Sequence, residues 1–230
     1  MFRKKVIGGV VGLAGALGVW GFCNEYASAV VLAPGGSSTS MTGTYSTYIA
    51  ADGAPVDTQT RTYSGMVHGL AFDFSLVTNV YDDPNTHGDD FTYQLTNTAP
   101  MGDGSDSFAR MTMSSFLGYS VDADYEANTG LIQTGDPGDV APNEVDRNSY
   151  GSVVGYDFAS MINPTGESDI LVILTNGTTY TMGSATVIDN TNGSVVTSVP
   201  YGTTVVPEPT SLAMIAVSLG MLARRRRCGS

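Results

Sequence analysis

The chain has 230 residues and a formal net charge of −12 at pH 7, and most of its ten basic residues lie near its two ends. Between residues 30 and 206, three arginines against twenty acidic residues give a formal charge of −17, and Cys, Lys and Trp do not occur. This composition argues against nucleic-acid binding, because phosphates are bound by Lys and Arg, and it excludes disulfides, thiol nucleophiles and lysine Schiff bases. The length predicts one domain whose core is large enough to need no covalent crosslinks.

Residues 1–29 have the organisation of a secretory signal peptide. A basic cluster precedes a glycine-rich apolar run over residues 6–22. Ala27 and Ala29 then form the small-x-small pattern of a signal peptidase site. The sequence therefore predicts cleavage after Ala29, which leaves Val30 as the new N-terminus. An uncleaved anchor is the less favoured alternative, because an apolar run of 17 residues with six glycines is a poor membrane span.

The next part of the chain, residues 30–205, has the two-residue period of β-strands and no persuasive helical period. A continuous apolar run over residues 170–174 predicts a central strand that is covered on both faces. The other predicted strands alternate apolar and polar residues or are rich in β-branched residues, and they cover residues 70–76, 91–96, 109–114, 154–158, 179–188 and 195–200. Clusters of Asp, Asn, Pro and Gly between these segments predict turns.

This pattern of short strands and polar turns predicts an all-β fold, a single antiparallel β-sandwich of the jelly-roll or Ig-like type. The dipeptide Asn176-Gly177 lies between two strand segments and predicts a two-residue β-hairpin. Residues 30–43 are rich in Gly and Ser, so they are expected to form a flexible leader. Residues 202–206 are expected to form a short stalk after the sandwich.

Acidic residues are the candidate chemistry inside the domain. Asp122, Asp124 and Glu126 place carboxylates at every second position, as calcium-binding loops do. The pattern fails as an EF-hand, because Ala127 and Gln133 stand where Gly and Glu are required. The favoured interpretation is the polar face of a strand whose opposite face is formed by Val121, Ala123 and Tyr125.

Two further acidic groups lie in predicted turns, where they could clamp a divalent cation between loops or simply form the turns. The first group surrounds Gly88 and consists of Asp82, Asp83, Asp89 and Asp90. The second group pairs Asp103 with Asp106. Neither pattern is specific for an ion. We therefore predict no metal ligands and no cofactor, with calcium as the alternative.

Catalytic patterns are weak. His68 and His87 form no HxH or HxxxH pair, so a zinc site is not expected. A Ser-His-Asp triad has no GxSxG-type elbow to support it, and the two opposed carboxylates of a glycosidase would arise by chance among twenty acids. Carbohydrate sites usually offer aromatic platforms, a role that Tyr would have to fill here. The sequence predicts no catalytic residues and no enzymatic activity.

The C-terminal segment, residues 206–230, combines a short motif, an apolar run and a basic cluster. The motif consists of Pro207, Glu208 and Pro209, and the basic cluster consists of Arg224, Arg225, Arg226 and Arg227. Between them, residues 212–223 would form a helix of about 18 Å, which is short against a hydrocarbon core of about 30 Å. The arginines favour the cytoplasmic side. This tail resembles the PEP-CTERM sorting signal of bacterial surface and matrix proteins, whose motif matches Pro207, Glu208 and Pro209.

The resemblance covers about one tenth of the chain and implies handling by a membrane-embedded exosortase. The expected organisation is a signal peptide at 1–29, an acidic β-sandwich at 30–205 and a sorting signal at 206–230. We expect a secreted protein of the bacterial cell envelope or extracellular matrix, of structural or interaction type. Its expected partners are signal peptidase and an exosortase during export, with transient membrane anchoring through the tail. The alternative is a lectin-like module that binds extracellular polysaccharide through Tyr and Asp loops, with or without calcium.

Overall fold

The computed structural model describes residues 29–43, 53–83, 88–102, 105–127, 139–191 and 193–203, the last six of these by their backbone alone. These residues form 14 β-strands and no helix, so none of them belongs to a helix that could cross a membrane. The strands are β1 (Val30–Val31), β2 (Ser37–Ser38), β3 (Asp57–Tyr63), β4 (Met66–Val67), β5 (Leu70–Ala71), β6 (Phe74–Asp82), β7 (Asp89–Asn97), β8 (Phe108–Ser114), β9 (Val121–Glu126), β10 (Glu144–Arg147), β11 (Val153–Ile162), β12 (Ile170–Thr175), β13 (Thr179–Asp189) and β14 (Ser194–Thr203).

The strands form two six-stranded sheets that pack face to face. Sheet A has the order β1-β9-β12-β7-β6-β3, and sheet B has the order β14-β13-β8-β11-β10-β2. Strands β4 and β5 form a separate small hairpin. Neighbouring strands in both sheets are antiparallel, and the core is built from apolar residues of both sheets. The predicted all-β antiparallel sandwich is confirmed.

The core follows the alternation seen in the sequence. Phe91, Tyr93 and Leu95 of β7 all face inward and are fully buried. The ring of Phe108 in sheet B lies 6.2 Å from that of Phe74 in sheet A, measured between ring centroids, so aromatic packing joins the two layers near one end of the sandwich. The run over residues 170–174 forms β12, which lies inside sheet A between β9 and β7, as predicted.

The predicted hairpin at Asn176-Gly177 is wrong. Strand β12 belongs to sheet A and β13 to sheet B, so the chain crosses between the sheets at this turn. Both edges of β12 are already paired, with β7 and with β9. The turn is tied to these neighbours, since Asn176 Oδ1 accepts a hydrogen bond from Ser120 N at 3.0 Å and Gly177 O accepts one from Asp89 N at 2.6 Å. A local turn signal carries no information about such long-range pairing.

The prediction of a flexible leader is also wrong. Residues 29–43, which we call the N-terminal strap, pair with an edge of each sheet: β1 with β9 and β2 with β10. Leu32 lies between these two strands and is 2% exposed in the core. Strands of two residues are too short to produce a periodic pattern in a Gly- and Ser-rich stretch, so periodicity does not reveal them.

Candidate functional site

The sorting motif and one residue of the cleavage site lie outside the described residues, as do His87 and Asp103. The residues concerned are Ala27, Pro207, Glu208, Pro209, Arg224, Arg225, Arg226 and Arg227. The other cleavage-site residue, Ala29, is the first described residue and directly precedes β1. The last strand ends at Thr203, so three residues separate it from Pro207.

The strand-face interpretation of Asp122, Asp124 and Glu126 is confirmed, because all three alternate along β9. Asp124 departs from it in one respect: its side chain is completely buried under the N-terminal strap. Its carboxylate accepts hydrogen bonds from Thr42 N at 3.0 Å, Thr42 Oγ1 at 2.8 Å, Gly43 N at 3.3 Å and Tyr125 N at 2.8 Å. These donors use the carboxylate oxygens that a calcium ion would need.

A pocket of about 150 Å³ opens at the end of the sandwich where β12 finishes, which we call the Asn176 end. It is lined by Asp83, Asp90, Ser120, Asp122, Leu174, Thr175 and Asn176. Asp90 of β7 and Asp122 of β9 both pair with Leu174, so a full strand separates them, about 10 Å between strand axes. Calcium needs its ligands at about 2.3–2.6 Å, and this spacing does not favour one ion between the two.

The four acidic residues around Gly88 do not all face the same site. Asp90 lines the pocket, whereas Asp82 and Asp89 face each other across β6 and β7 one position further on. Gly88 is required here, because a Cβ at this position would lie 2.1 Å from Thr175 O. Burial, with added repulsion from Asp82, raises the pKa of Asp89 from 3.8 to about 6. Within the described ranges, no three His, Cys, Asp or Glu side chains are grouped to hold a metal ion.

Arg147 is the buried cation of the domain and lies at the same end. Its guanidinium donates five hydrogen bonds of 2.8–3.0 Å, all to backbone carbonyl oxygens. The acceptors are those of Leu32, Phe116, Tyr119 and Gly151. Arg147 thus joins the strap to two turns of the sandwich, and burial lowers the pKa of its guanidinium.

The opposite end of the sandwich, the His68 end, contains a group that the sequence analysis missed. Asp106 and Asp189 are both nearly fully buried, and their carboxyl groups lie within hydrogen-bonding distance of each other. Asp189 is held by Thr191 N at 2.7 Å, Gly193 N at 2.6 Å and Thr191 Oγ1 at 3.0 Å. His68 Nδ1 then lies 3.2 Å from Thr191 Oγ1. The chain of contacts runs from an exposed imidazole to a buried pair of carboxyl groups.

This order of groups does not match that of a catalytic triad. In a triad the carboxylate orients the histidine, which in turn activates the hydroxyl. Here the Thr191 hydroxyl stands in the middle and donates its proton to Asp189, so the histidine does not receive it. The arrangement is suited to fixing a turn and sharing a proton. The pairing of Asp106 with Asp189 joins residues 83 positions apart, which no local motif signals.

No protein-family model matches this chain, and neither the characterised proteins nor the solved structures with which it was compared give a match. The functional argument therefore depends on the residues and geometry of the chain itself.

Proposed function

We propose that the protein is an exported surface or extracellular-matrix protein of structural or interaction type, sorted by an exosortase-like system. The proposal depends on the tail, in which Pro207, Glu208 and Pro209 precede an apolar run and four arginines. In this proposal signal peptidase and an exosortase act on the two ends of the chain in a bacterial envelope.

The observation that carries the proposal is the position of the strands between the two expected processing segments. Strand β1 begins at Val30, directly after the expected cleavage site, and β14 ends at Thr203, before the sorting motif. Removal of either segment would take no residue from any described strand. A sandwich that keeps all of its described strands after processing at both ends is suited to export by such a route.

A non-catalytic role is favoured by how the buried ionisable groups are used. Arg147 and Asp124 hold the N-terminal strap, and Asp189 holds a turn. Each is engaged by the backbone or side chains of the domain itself. We infer that the acidic surface serves solubility and interaction in the envelope rather than the chemistry of a substrate.

The experiment is intact-mass measurement of the protein recovered from the envelope or culture medium of a host that has an exosortase. The expected mass is that of a chain that starts at Val30 and lacks Arg224–Arg227. Glu208→Ala should leave precursor in the membrane fraction, whereas Thr210→Ala, next to the motif, should be processed normally. Recovery of an exported protein with its complete C-terminus would overturn the sorting proposal.

A lectin-like carbohydrate-binding module is the second candidate, because one exposed tyrosine stands beside polar partners. The Tyr180 hydroxyl is hydrogen-bonded to Asp57, whose carboxylate also accepts a bond from Gln59 Nε2 at 3.0 Å. An aromatic face beside a carboxylate and an amide suits a sugar ring and its hydroxyls. A glycan array with and without a calcium chelator tests this candidate, with Tyr180→Ala as the variant and Tyr150→Ala, exposed at the Asn176 end, as the control. Binding unchanged by Tyr180→Ala would exclude this site.

A further inference from the structure

The two buried carboxyl groups at the His68 end join three separate pieces of chain. Asp106 N donates to Ala71 O of β5 at 3.0 Å, and Asn97 Nδ2 donates to Asp106 O at 2.8 Å. Asp189 shapes the turn between β13 and β14 through Thr191 and Gly193. The turn of the β4–β5 hairpin contacts the β13–β14 turn through His68 Nδ1, which lies within hydrogen-bonding distance of Thr191 Oγ1. The carboxyl pair thus lies where the hairpin, the segment before β8 and the β13–β14 turn meet.

Packing around the pair leaves little room for rearrangement. A Cβ at Gly193 would lie 2.2 Å from Asp189 Oδ2 and 2.3 Å from Val67 Cγ1 of the hairpin. Asp106 Oδ1 accepts a hydrogen bond from Ser107 N at 2.8 Å, while Asp106 Oδ2 is buried and receives none from the described residues. Two ionised carboxylates are acceptors only, so this contact is favourable when one of them carries a proton.

The hydrogen-bond donors decide which carboxyl group holds that proton. Burial alone would raise the pKa of Asp189, but the hydrogen bonds from Asp106, Gly193 and Thr191 outweigh it and lower that pKa. Burial, followed by the hydrogen bond with Asp189, raises the pKa of Asp106. Asp106 is therefore the protonated member, and a proton on Oδ2 gives this buried atom the hydrogen bond that it otherwise lacks.

We propose that the Asp106–Asp189 pair is a proton-dependent clasp that fixes the β4–β5 hairpin to the β13–β14 turn in acid and loosens it as the pH rises. Loss of the proton places two buried like charges in contact. Their repulsion is relieved when the segment that carries Asp106, together with the hairpin strand to which its backbone N–H is bonded, separates from the β13–β14 turn. Among the described residues, the titratable groups at this junction are His68 on the hairpin, Asp106 on the segment before β8 and Asp189 at the β13–β14 turn. A positive charge on His68 favours ionisation of Asp106 and so opposes the clasp. Asp73, at the base of the hairpin, is engaged by Gly65 N at 2.9 Å.

The direction of the pH dependence follows from the raised pKa of Asp106. A carboxyl group that holds its proton more tightly in the folded state stabilises that state fully below its unfolded pKa of 3.8. This stabilisation is lost as the pH rises from 3.8 through the higher pKa of the folded state. The contribution of this pair to holding the hairpin should therefore be largest below pH 3.8 and smaller at neutral pH.

The test is amide hydrogen exchange and NMR titration of the full chain in detergent between pH 4 and pH 8. In the wild type, protection of the Thr191 and Gly193 amides should be lost progressively as the pH rises, because both amides donate to Asp189, the carboxylate that Asp106 repels once it loses its proton. Asp106→Asn should abolish this loss, since its amide donates to Asp189 at every pH. Asp89→Asn is the matched control, because Asp89 lies at the opposite end of the sandwich and also has a raised pKa. It should leave the pH-dependent loss of protection unchanged.

Two results would overturn the clasp. One is an equal loss of protection in the wild type and in Asp106→Asn, and the other is a wild type whose protection does not change with pH. If Asp106→Asn does not fold, the wild-type titration still decides: the Thr191 and Gly193 amide shifts must follow one common midpoint above pH 3.8. Separate midpoints, or none, would contradict the proposal.

Discussion

The N-terminal strap and the β4–β5 hairpin are both short segments fixed to the sandwich by buried ionisable groups, but the partners of those groups differ. At the strap, Arg147 donates to carbonyl oxygens and Asp124 accepts from N–H and O–H groups. At the hairpin, Asp106 lies against a second carboxylate. The contrast shows that burial alone does not make a segment sensitive to pH, because the partner of the buried charge decides.

The physical basis is the difference between a dipole and a like charge. Oriented backbone N–H and C=O groups stabilise a buried charge and do not titrate themselves. A neighbouring carboxylate destabilises the charge until a proton removes it. The strap is thus fixed by dipoles and the hairpin by a proton, and three substitutions can break or sharpen this distinction.

The largest effect is expected at Arg147. Arg147→Ala would leave four buried carbonyl oxygens without their donor and should lower the free energy of unfolding by about 3–5 kcal/mol. Arg110→Ala is the control, because Arg110 pairs with Asp146 and Asp157 on a partly exposed face and should cost about 1 kcal/mol. Urea denaturation of the full chain in detergent, followed by circular dichroism, measures both. Equal losses would mean that Arg147 does not hold the strap as described.

Asp124→Ala should lower the free energy of unfolding by about 2–3 kcal/mol, because the strap loses the acceptor of Thr42 and Gly43.

The stability of the wild type should be the same in NaCl and CaCl2 of matched ionic strength, since simple screening depends on ionic strength and not on ligand geometry. Thermal unfolding in the two salts measures this. A calcium-specific increase that Asp124→Ala abolishes would instead identify Asp122, Asp124 and Glu126 as ligands.

The smallest of the three effects is expected at Asp89. Its raised pKa means that its stabilisation is complete below pH 3.8 and is lost as the pH rises to about 6. Asp89→Asn should flatten the stability curve over this interval by an amount on the order of 1 kcal/mol. Urea denaturation at several pH values gives the curves, and Asp139→Asn, outside the strands, serves as the control. A curve with the same slope in Asp89→Asn would assign the pH dependence to other groups.

The sequence predicted the sandwich from periodicity, because alternate side chains of a strand face opposite sides and the core selects one of them. Phe91, Tyr93 and Leu95 occupy alternate positions of the predicted strand over residues 91–96 and are all buried, and Asp122, Asp124 and Glu126 alternate along β9. A property that repeats every second residue is local, so one chain segment is enough to reveal it.

What the sequence did not reveal depends on contacts between distant segments. The strap joins both sheets through strands of two residues, and the Asn176-Gly177 turn crosses between sheets because both edges of β12 were already paired. Asp106 and Asp189 are in contact because β8 pairs with β13, which places Phe108 beside Asp189. The alternating pattern thus determined which face of a strand is buried, whereas the tertiary structure decided which buried charges meet, because burial free energy depends on side-chain type and electrostatic pairing depends on position in space.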